Sequence, residues 1–497
     1  MISDELTTLI EQQLGFTPTH DQSVAITTFA HFLTDRTDRA VMIMHGSAGT
    51  GKTSLAAAMV RMLAGLGQKV VLLAPTGRAA KVFSLNAGRP AYTIHRKIYR
   101  QKTFTGDMTG FNLNDNMHTD TLFIVDEASM TANGDRDTTA RFGTGRVLDD
   151  IVTYVYSGRN CRLMLIGDKA QLPPVGEEES PALQPDYMAG YGLSVYESGL
   201  NEVLRQVVDS GILYNATVIR GMITHDELTR LPLIRFSGYA DIISVPGGEL
   251  IEQLNTSYSD AGLDETIIIT RSNKRATIYN KGVRAMVLGR EEELTSGDML
   301  MVVRNNYYWA EGGEKDASAA TANTRQCGQA STESPMKGCS YIANGDRAKV
   351  IRVRNVREFY GFRFADLWLR LPDYDGYELQ VTAIMDSLDT DTPALTHEQS
   401  ERLFTSVLED YADVPLKSDR MKKVRTDPYY NALQVKYAYA VTCHKAQGGQ
   451  WAHVYVDQGY MTDDMLTPDY IHWLYTAFTR ATEKLFLVNW PKTQTES

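Results

Sequence analysis

The first 170 residues contain four apolar runs, and each run ends in a polar or glycine-rich cluster. AVMIM leads into GSAGTGKTS, while KVVLLA, TLFIV and RLMLIG lead into PTGR, DEAS and DKAQ. Short apolar runs bounded by such clusters are typical of buried strands, and the pattern that opens at Lys52 is typical of a helix. Parallel sheets collect their ligands at the carboxyl ends of their strands. The pattern therefore predicts an α/β domain whose polar clusters share one sheet edge.

A second series of apolar runs predicts a second α/β domain. ETIIIT precedes an amphipathic helical pattern, and the series resumes with LQVKYAYAVT, AHVYVD and KLFLVNW. Between them, residues 345–432 alternate apolar and polar side chains, which predicts the antiparallel strands of a small β-barrel-like module. Residues 310–340 are small and polar, and they predict a mobile insertion.

Composition restricts the class of protein. A chain of 497 residues is too long to fold around one hydrophobic core, so more than one domain is expected. Its 43% apolar and 22% charged residues are ordinary for globular domains. No apolar run approaches the ~20 residues that span a bilayer, so no membrane partner is expected. The net charge of −11 argues against a protein that coats nucleic acid, although it leaves room for a local basic groove.

The cysteines and the N-terminal residues bear on the compartment. Cys161, Cys327, Cys339 and Cys443 are scattered, without the spacing of a zinc site or a disulfide framework. The first residues, MISDELTTLIEQQLGF, are acidic and amphipathic rather than basic and then apolar, so no secretory signal is expected. These features favour a reduced, cytoplasmic location.

The cluster after the first apolar run matches the phosphate-loop pattern G-x-x-x-x-G-K-[ST] over residues 46–53. Its glycines let backbone N–H groups surround phosphate oxygens at a helix N-terminus. Lys52 would reach the β- and γ-phosphates, and the Thr53 hydroxyl would ligate Mg²⁺. A chance glycine-rich turn is disfavoured because a strand precedes the pattern and a helix follows it. The predicted nucleotide-binding residues are Gly46, Ser47, Ala48, Gly49, Thr50, Gly51, Lys52, Thr53 and Ser54.

Two later clusters predict the chemistry of hydrolysis. Asp126 and Glu127 end the third strand, where Asp126 would add a Mg²⁺ contact and Glu127 would polarise the attacking water. Gln171, beyond the fourth strand, would hydrogen-bond a γ-phosphate or water, although a simple strand-to-loop cap explains it equally well. Arg205 and Arg480 flank apolar segments near a predicted domain edge, which suggests arginine fingers; the alternative is two surface arginines.

Taken in order, these clusters resemble the motif series of superfamily 1B DNA helicases of the RecD/Dda type, with Pif-type helicases as near relatives. The series is GSAGTGKT, APTGRAA, TIH, DEASM, GDKAQLPPV, LRQ, VTCHKAQGGQ and YTAFTRA, and it extends from about Gln22 to Arg480.

This resemblance implies an α/β fold class with two RecA-like parallel-sheet domains. Domain 1A would comprise residues 1–98 and 119–198, and domain 2A residues 199–344 and 433–497. A β-hairpin, domain 1B, would occupy residues 99–118, and an SH3-like barrel, domain 2B, residues 345–432. The 310–340 insertion would fall within domain 2A.

The resemblance also assigns roles to single residues. Gln22 would read adenine, Glu127 would act as catalytic base, and Arg205 and Arg480 would contact the γ-phosphate, with Gly448 on the nucleotide side. Phe104 or Phe111 would form a pin that splits the duplex, unless both are ordinary loop residues. His95 has a structural alternative as a packed side chain. The implied contacts to DNA are Pro75, Thr76, Arg78, Thr93, His95, Asn273, Thr442, His444, Lys445 and Gln447.

The function implied is an ATP-dependent DNA helicase that uses Mg²⁺ and translocates 5′ to 3′ on single-stranded DNA. Its partners would be single-stranded DNA and single-strand/duplex junctions, together with unidentified replication or recombination proteins. The resemblance suggests a monomer, nucleoid-associated when on DNA, and it leaves the pathway open among DNA repair, DNA recombination, replication restart and phage or mobile-element biology. An RNA helicase and an NTP-gated nucleic-acid clamp without unwinding remain alternatives. A small-molecule kinase is disfavoured because it explains neither the second domain nor VTCHKAQGGQ.

Overall fold

The computed structural model describes residues 2–101, 110–134, 141–202, 209–227, 230–306, 308–309, 342–461 and 465–496. Arg205, Phe104 and the 310–340 insertion lie outside these ranges, as does the side chain of Phe111. The chain divides into two compact units: residues 1–247 with 446–497 form unit 1, and residues 248–445 form unit 2.

The helices and strands follow the predicted alternation closely. The helices are α1 Ile2–Leu14, α2 His20–Thr34, α3 Lys52–Gly65, α4 Gly77–Ala87, α5 Ile94–Ile98, α6 Val147–Ser157, α7 Pro185–Ala189, α8 Gly211–Thr224, α9 Leu250–Asp260, α10 Asn273–Gly282, α11 His397–Asp410, α12 Lys417–Arg425, α13 Cys443–Ala446 and α14 Pro468–Phe478. The strands are β1 Ala40–Gly46, β2 Lys69–Ala74, β3 Ala91–Thr93, β4 Tyr99–Gln101, β5 Gly110–Leu113, β6 Thr121–Val125, β7 Arg141–Phe142, β8 Arg162–Gly167, β9 Ser194–Leu200, β10 Ile242–Val245, β11 Thr266–Thr270, β12 Met299–Val302, β13 Arg347–Phe359, β14 Phe362–Leu371, β15 Tyr377–Ile384, β16 Leu433–Tyr437, β17 Ala440–Thr442, β18 Trp451–Asp457 and β19 Ala481–Val488.

The four apolar runs at the start of the chain form the centre of a parallel sheet in unit 1. The strand order is β3-β2-β6-β8-β1-β9, and every neighbouring pair is parallel. Strand β6 is buried along its whole length, as a strand covered on both faces should be. The carboxyl ends of β1, β6 and β8 therefore carry the phosphate loop, Asp126 and Asp168 to the same edge.

Helices α1, α2 and α3 cover the apolar core of this sheet. Helix α2 begins at a capping box in which the Thr19 side chain accepts from the Gln22 amide and the Gln22 side chain accepts from the Thr19 amide. Residues 55–60 of α3 are all buried, because small alanines let the helix approach the strands closely. Phe29, Phe32 and Met59 lie fully buried in this core.

A short three-stranded sheet, β4-β5-β7, occupies the region predicted for the hairpin. Strands β4 and β5 pair antiparallel, with Tyr99 opposite Leu113, and β5 pairs parallel with β7. The pair falls within the predicted 99–118 range. Unit 1 also contains a parallel group in which β19 pairs with both β10 and β18.

Unit 2 contains the parallel pair β11–β17 and a closed five-stranded barrel. The barrel is built from β12, β13, β14, β15 and β16, so it takes one strand from each side of the predicted 345–432 module. Phe362 and Phe364, at the start of β14, pack with Leu403 and Val407 of α11 in a core beside the barrel.

The predicted fold class, parallel-sheet RecA-like domains with a small β-barrel, is confirmed. The compact units divide the chain differently from the predicted domains, since residues 446–497 cluster in unit 1. Within the described ranges, no helix combines the length and the apolar character that crossing a bilayer requires.

Candidate nucleotide site and nucleic-acid interface

The phosphate loop connects β1 directly to the first turn of α3. Gly49 and Gly51 adopt positive φ values of 78° and 79°, and the Thr50 hydroxyl donates to the Ser47 carbonyl at 2.8 Å. Gly46 has no room for a side chain, because a Cβ there would lie 2.7 Å from the Leu200 carbonyl oxygen. These constraints shape a turn whose amides can surround phosphate oxygens.

Two cationic side chains converge on this loop. The Lys52 Nζ donates to the carbonyl oxygens of Gly46 and Ser47, at 2.7 and 2.8 Å. Arg220, on α8, donates to the Ser47 hydroxyl at 2.9 Å and to Asn201. Sequence reasoning missed Arg220, since it lies in an ordinary helical pattern, VIRGM, with no motif around it.

The strand-end carboxylates lie in the same unit as the loop. Asp126 is buried, and burial together with the neighbouring Glu127 raises the pKa of Asp126 to about 7. Glu127 itself has a left-handed backbone, with φ 52°. The Gln171 Nε2 donates to a Glu127 carboxylate oxygen at a long 3.5 Å, which places the predicted sensor beside the predicted base.

The residues predicted to ligate Mg²⁺ suit that ion chemically. A buried carboxylate, Asp126, and a hydroxyl, Thr53, are the hard oxygen donors that Mg²⁺ takes together with substrate phosphates. Across the described part of the chain, no group of three or more His, Cys, Asp and Glu side chains is placed to hold a metal ion.

Helix α14 is hydrogen-bonded to the phosphate loop through Tyr475. The Tyr475 hydroxyl accepts from the Ala48 amide at 2.9 Å and donates to an Asp168 carboxylate oxygen at 2.7 Å. Burial, with the Asp168 charge beside it, raises the pKa of Tyr475 well above its usual value, so the hydroxyl stays protonated. One of the amides predicted to bind phosphate thus has an internal partner.

The loop after β8, residues 168–172, is also hydrogen-bonded to α14 and to Gln447. The Leu172 amide donates to the Thr476 hydroxyl at 2.8 Å, and the Leu172 carbonyl accepts from Gln447 Nε2 at 2.7 Å. Gln447 was predicted to donate to DNA phosphates, but it is buried and its amide is engaged with this loop. The prediction did not anticipate this, because burial of a polar side chain depends on tertiary contacts.

Gln22 and Arg480 are also engaged internally. The Gln22 Nε2 donates to the Thr50 carbonyl at 3.0 Å, so its amide braces the phosphate loop. Arg480 is buried and donates to the carbonyls of Thr476 and Gly449 and to the Thr479 hydroxyl. Their predicted contacts with adenine and the γ-phosphate remain predictions.

The start of α4 gathers several residues of the predicted DNA track. The Thr76 hydroxyl caps α4 by accepting from the Ala79 amide. Gly448 lies close to Thr76, since a Cβ at Gly448 would be 3.0 Å from the Thr76 hydroxyl, and its assignment to the nucleotide side stays a prediction. The Arg78 guanidinium stacks 4.6 Å from the centre of the Trp451 ring and donates to the Gln450 carbonyl. The half-buried Pro75 directly precedes this cluster.

Thr93 and His95 lie at the start of α5. Thr93 is buried, and its hydroxyl caps the helix by accepting from the Arg96 amide. The His95 ring packs against Tyr99 at 5.4 Å, and burial lowers the pKa of His95 to about 4. His95 is therefore neutral at neutral pH, so any contact it makes with a phosphate would lack a positive charge.

In unit 2, three predicted DNA contacts line one pocket. Asn273 begins α10, Thr442 ends β17 and Lys445 follows in α13, and Asn280 and Lys436 are among the other polar residues of the lining. Burial and the nearby Lys436 lower the pKa of Lys445 to about 8. His444 is exposed beside them.

Comparison with known proteins gives two family matches. An AAA domain model matches residues 19–206, and a UvrD-like helicase C-terminal domain model matches residues 437–488. The chain is 32% identical over 136 residues to an ATP-dependent RecD2 DNA helicase of Deinococcus radiodurans, an alignment covering 27% of this chain and 16% of that protein. It is 36% identical over 152 residues to an uncharacterised protein of Methanocaldococcus jannaschii, covering 27% and 12%. The chain thus spans less than a fifth of the length of either relative.

Solved structures of Pif1 helicases resemble the chain at low identity. The Pif1 helicase from Bacteroides in complex with ADP-AlF3 and ssDNA aligns with 97% of this chain and 95% of its own, at 15% identity and a TM-score of 0.45. The Pif1 helicase from Candida albicans aligns with 97% and 96%, at 15% identity and a TM-score of 0.39. The two family models, an AAA domain and a UvrD-like helicase C-terminal domain, thus match two separate parts of the chain that together make up less than half of its residues.

Proposed function

We propose that this chain is an ATP-dependent DNA helicase that translocates 5′ to 3′ along single-stranded DNA. The observation that carries the proposal is the hydrogen bonding of the loop at residues 168–172. Gln171 in this loop donates to Glu127, and Leu172 binds both Gln447 and Thr476. Gln171, which lies beside the predicted catalytic base, is therefore the chain neighbour of Leu172, which bonds Gln447 of the predicted nucleic-acid motif. A motor requires such a connection between hydrolysis and nucleic-acid binding, whereas a simple kinase does not.

The hydrolysis step follows from the side chains at the sheet edge. Lys52 exchanges its two carbonyl partners for the β- and γ-phosphates, and the backbone amides of the loop donate to the remaining phosphate oxygens. Thr53 and Asp126 would hold Mg²⁺, which neutralises charge on the phosphates when bound. Glu127 orients the attacking water, and Gln171 beside it responds to the loss of the γ-phosphate.

The nucleic-acid step uses backbone contacts without sequence readout. In unit 1 the grip consists of Thr76 and Arg78 with Trp451 beside them, and in unit 2 it consists of Asn273, Thr442 and Lys445 around their pocket. A change at residues 168–172 reaches the first grip through Gln447, whose chain neighbour Gly448 lies so close to Thr76 that a Cβ there would be 3.0 Å from its hydroxyl. Hydrolysis can thereby alter the hold on the strand.

Strand separation tests the proposal directly. Two partial duplexes, one with a 5′ single-stranded tail and one with a 3′ tail, are incubated with the protein, ATP and Mg²⁺, and Lys52→Ala is run in parallel. Unwinding from the 5′ tail alone, lost in Lys52→Ala, is the expected result. Unwinding from the 3′ tail alone overturns the polarity.

The two alternative functions give different results in the same assay. A nucleic-acid clamp hydrolyses ATP in response to single strands but separates neither duplex. An RNA helicase separates tailed RNA duplexes in preference to the DNA ones. Either result would replace the present proposal.

A further inference from the structure

Arg220 is a positively charged side chain on the phosphate loop that none of the helicase motifs contains. It lies in the last turns of α8, where the buried neighbour Ile219 fixes the helix face. Its guanidinium donates to the Ser47 hydroxyl at 2.9 Å, to the Asn201 side-chain oxygen at 2.5 Å and to the Asn201 carbonyl at 3.5 Å. Arg220 and the loop belong to the same compact unit.

The charge of Arg220 has no anionic partner in its described surroundings. Each of its three hydrogen bonds ends on a neutral oxygen. Lys52, on the other side of Ser47, likewise bonds only neutral carbonyl oxygens among the described residues. Two half-buried cations therefore lie on one anion-binding turn with their N–H donors on neutral oxygens, which a phosphate oxygen can replace with a charge-assisted hydrogen bond.

We propose that Arg220 is a nucleotide-binding residue that contacts the terminal phosphate of ATP from within unit 1. This inference rests on the proposed ATP hydrolysis and adds an arginine to the two that the sequence pointed to, Arg205 and Arg480. On binding, the guanidinium exchanges the Ser47 hydroxyl for a phosphate oxygen, while Asn201 keeps the side chain aimed at the loop. A guanidinium at this position stabilises the charge that spreads over the phosphoryl oxygens during transfer.

The competing explanation is structural: Arg220 would merely brace Ser47 against Asn201. The two explanations differ in their dependence on the γ-phosphate. A brace shapes the loop for every nucleotide, so its loss weakens ATP and ADP alike. A terminal-phosphate contact is absent from the ADP complex, so its loss weakens only the triphosphate complex.

The experiment measures nucleotide binding and ATP turnover in Arg220→Gln, without reference to unwinding. Titrations use a non-hydrolysable ATP analogue (with an imido bridge) and ADP, both with Mg²⁺, and steady-state kinetics give kcat and KM. Arg61→Gln is the matched control, because Arg61 also bonds neutral oxygens of unit 1, the carbonyls of Asn86 and Gln13, but lies in the body of α3. Thermal unfolding checks that each variant is folded.

The expected result is selective. Arg220→Gln should bind the ATP analogue about tenfold or more weakly while its ADP affinity stays within about threefold of the wild type. Its kcat should fall by about 10²-fold or more. Arg61→Gln should leave all three quantities unchanged. Arg220→Lys, which keeps the charge but not the planar fork, should retain part of the preference for the triphosphate.

Other outcomes overturn the inference. Equal losses for ATP and ADP would make Arg220 a brace, and unchanged affinities with unchanged kcat would remove it from the site. If Arg220→Gln does not fold, the decision falls to Arg220→Lys, in which equal losses for both nucleotides again overturn the inference. A wild-type protein that hydrolyses ATP but unwinds no duplex overturns the proposed function alone, whereas one that binds no nucleotide overturns both.

Discussion

Replacing Tyr475 with phenylalanine should tighten ATP binding, although it removes a hydrogen-bonding group next to the site. The Tyr475 hydroxyl holds the Ala48 amide in the structure, and that amide is one of the predicted phosphate donors. ATP must therefore break this bond before it can use the amide. In Tyr475→Phe the Ala48 amide has no such bond, so the free energy of ATP binding no longer includes the cost of breaking it.

The size of the effect follows from the two bonds of the hydroxyl. The bond with the Ala48 amide joins neutral groups at 2.9 Å, and such a bond contributes about 0.5–1.5 kcal/mol net. Removing its cost corresponds to about 2- to 12-fold tighter binding of ATP. The second bond, to the Asp168 carboxylate at 2.7 Å, contributes about 1.5–3 kcal/mol. The nucleotide-free variant should therefore lose about 2–4.5 kcal/mol of unfolding free energy.

Calorimetric titration of the ATP analogue and denaturant unfolding without nucleotide measure both effects. Tyr156→Phe is the control, because the Tyr156 hydroxyl also bonds a backbone group of unit 1, the Ala40 carbonyl at 2.7 Å, but at the other end of β1. Tyr156→Phe should lower the free energy of unfolding and leave the affinity for the ATP analogue unchanged. If Tyr475→Phe binds ATP as the wild type does, or more weakly, the hydroxyl does not compete with phosphate and the reasoning is wrong.

Three further predictions concern catalysis, nucleic-acid binding and stability. Glu127→Gln should lower kcat by about 10²- to 10⁴-fold with ATP still bound; normal turnover by steady-state assay would exclude Glu127 as the base. Lys445, with a pKa of about 8, is charged below that pH, so single-stranded DNA affinity by fluorescence anisotropy should fall as pH rises through 8. Lys445→Gln should remove this dependence and reduce the salt slope by about 0.7, whereas Lys445→Arg should bind equally at pH 7 and 9. Asp298→Ala leaves the buried Arg284 without its carboxylate partner and should lower the free energy of unfolding, measured with denaturant, by about 3–5 kcal/mol. A loss under about 1 kcal/mol, the size expected of exposed ion pairs, would contradict this.

The sheet of unit 1 was predictable because local pattern and tertiary position agree there. The apolar runs at β1, β2, β6 and β8 are buried strands, and the polar residues after them lie at the carboxyl edge. The phosphate loop was equally clear, since Gly46 and Lys52 belong to one continuous pattern. The barrel was predicted less fully, because β12 and β16 lie outside the alternating segment and join it only through long-range pairing.

The partners of individual side chains were not predictable in the same way. Gln447 looks like a free phosphate donor in VTCHKAQGGQ, and only the fold shows its amide on the Leu172 carbonyl. Arg220 carries no local signal, because a guanidinium in a helical pattern is indistinguishable from a solvated surface residue. Tyr475 lies inside a quoted motif, YTAFTRA, yet its role depends on a bond to Ala48, 427 positions away. The spacing of residues in a motif indicates which side chains have a chemical role. The partners of each side chain depend on long-range contacts that the local sequence does not show.

The hydrogen bonds around residues 168–172 give a reason why the motifs that contain Asp126, Asp168, Gln447 and Tyr475 must occur together. Asp168 accepts from Tyr475, Gln171 donates to Glu127, and Leu172 bonds Thr476 and Gln447. A loop held by directional hydrogen bonds on each side can shift between arrangements at moderate cost, because each neutral bond contributes only about 1 kcal/mol net and each bond to a carboxylate about 1.5–3 kcal/mol. The free-energy change when a few such bonds are exchanged is small compared with the binding free energy of a triphosphate. The nucleotide can therefore determine which arrangement the loop adopts. On the proposed function, loss of the Thr476 hydroxyl or the Gln447 amide should then weaken coupling between ATP turnover and strand movement more than it weakens ATP hydrolysis itself.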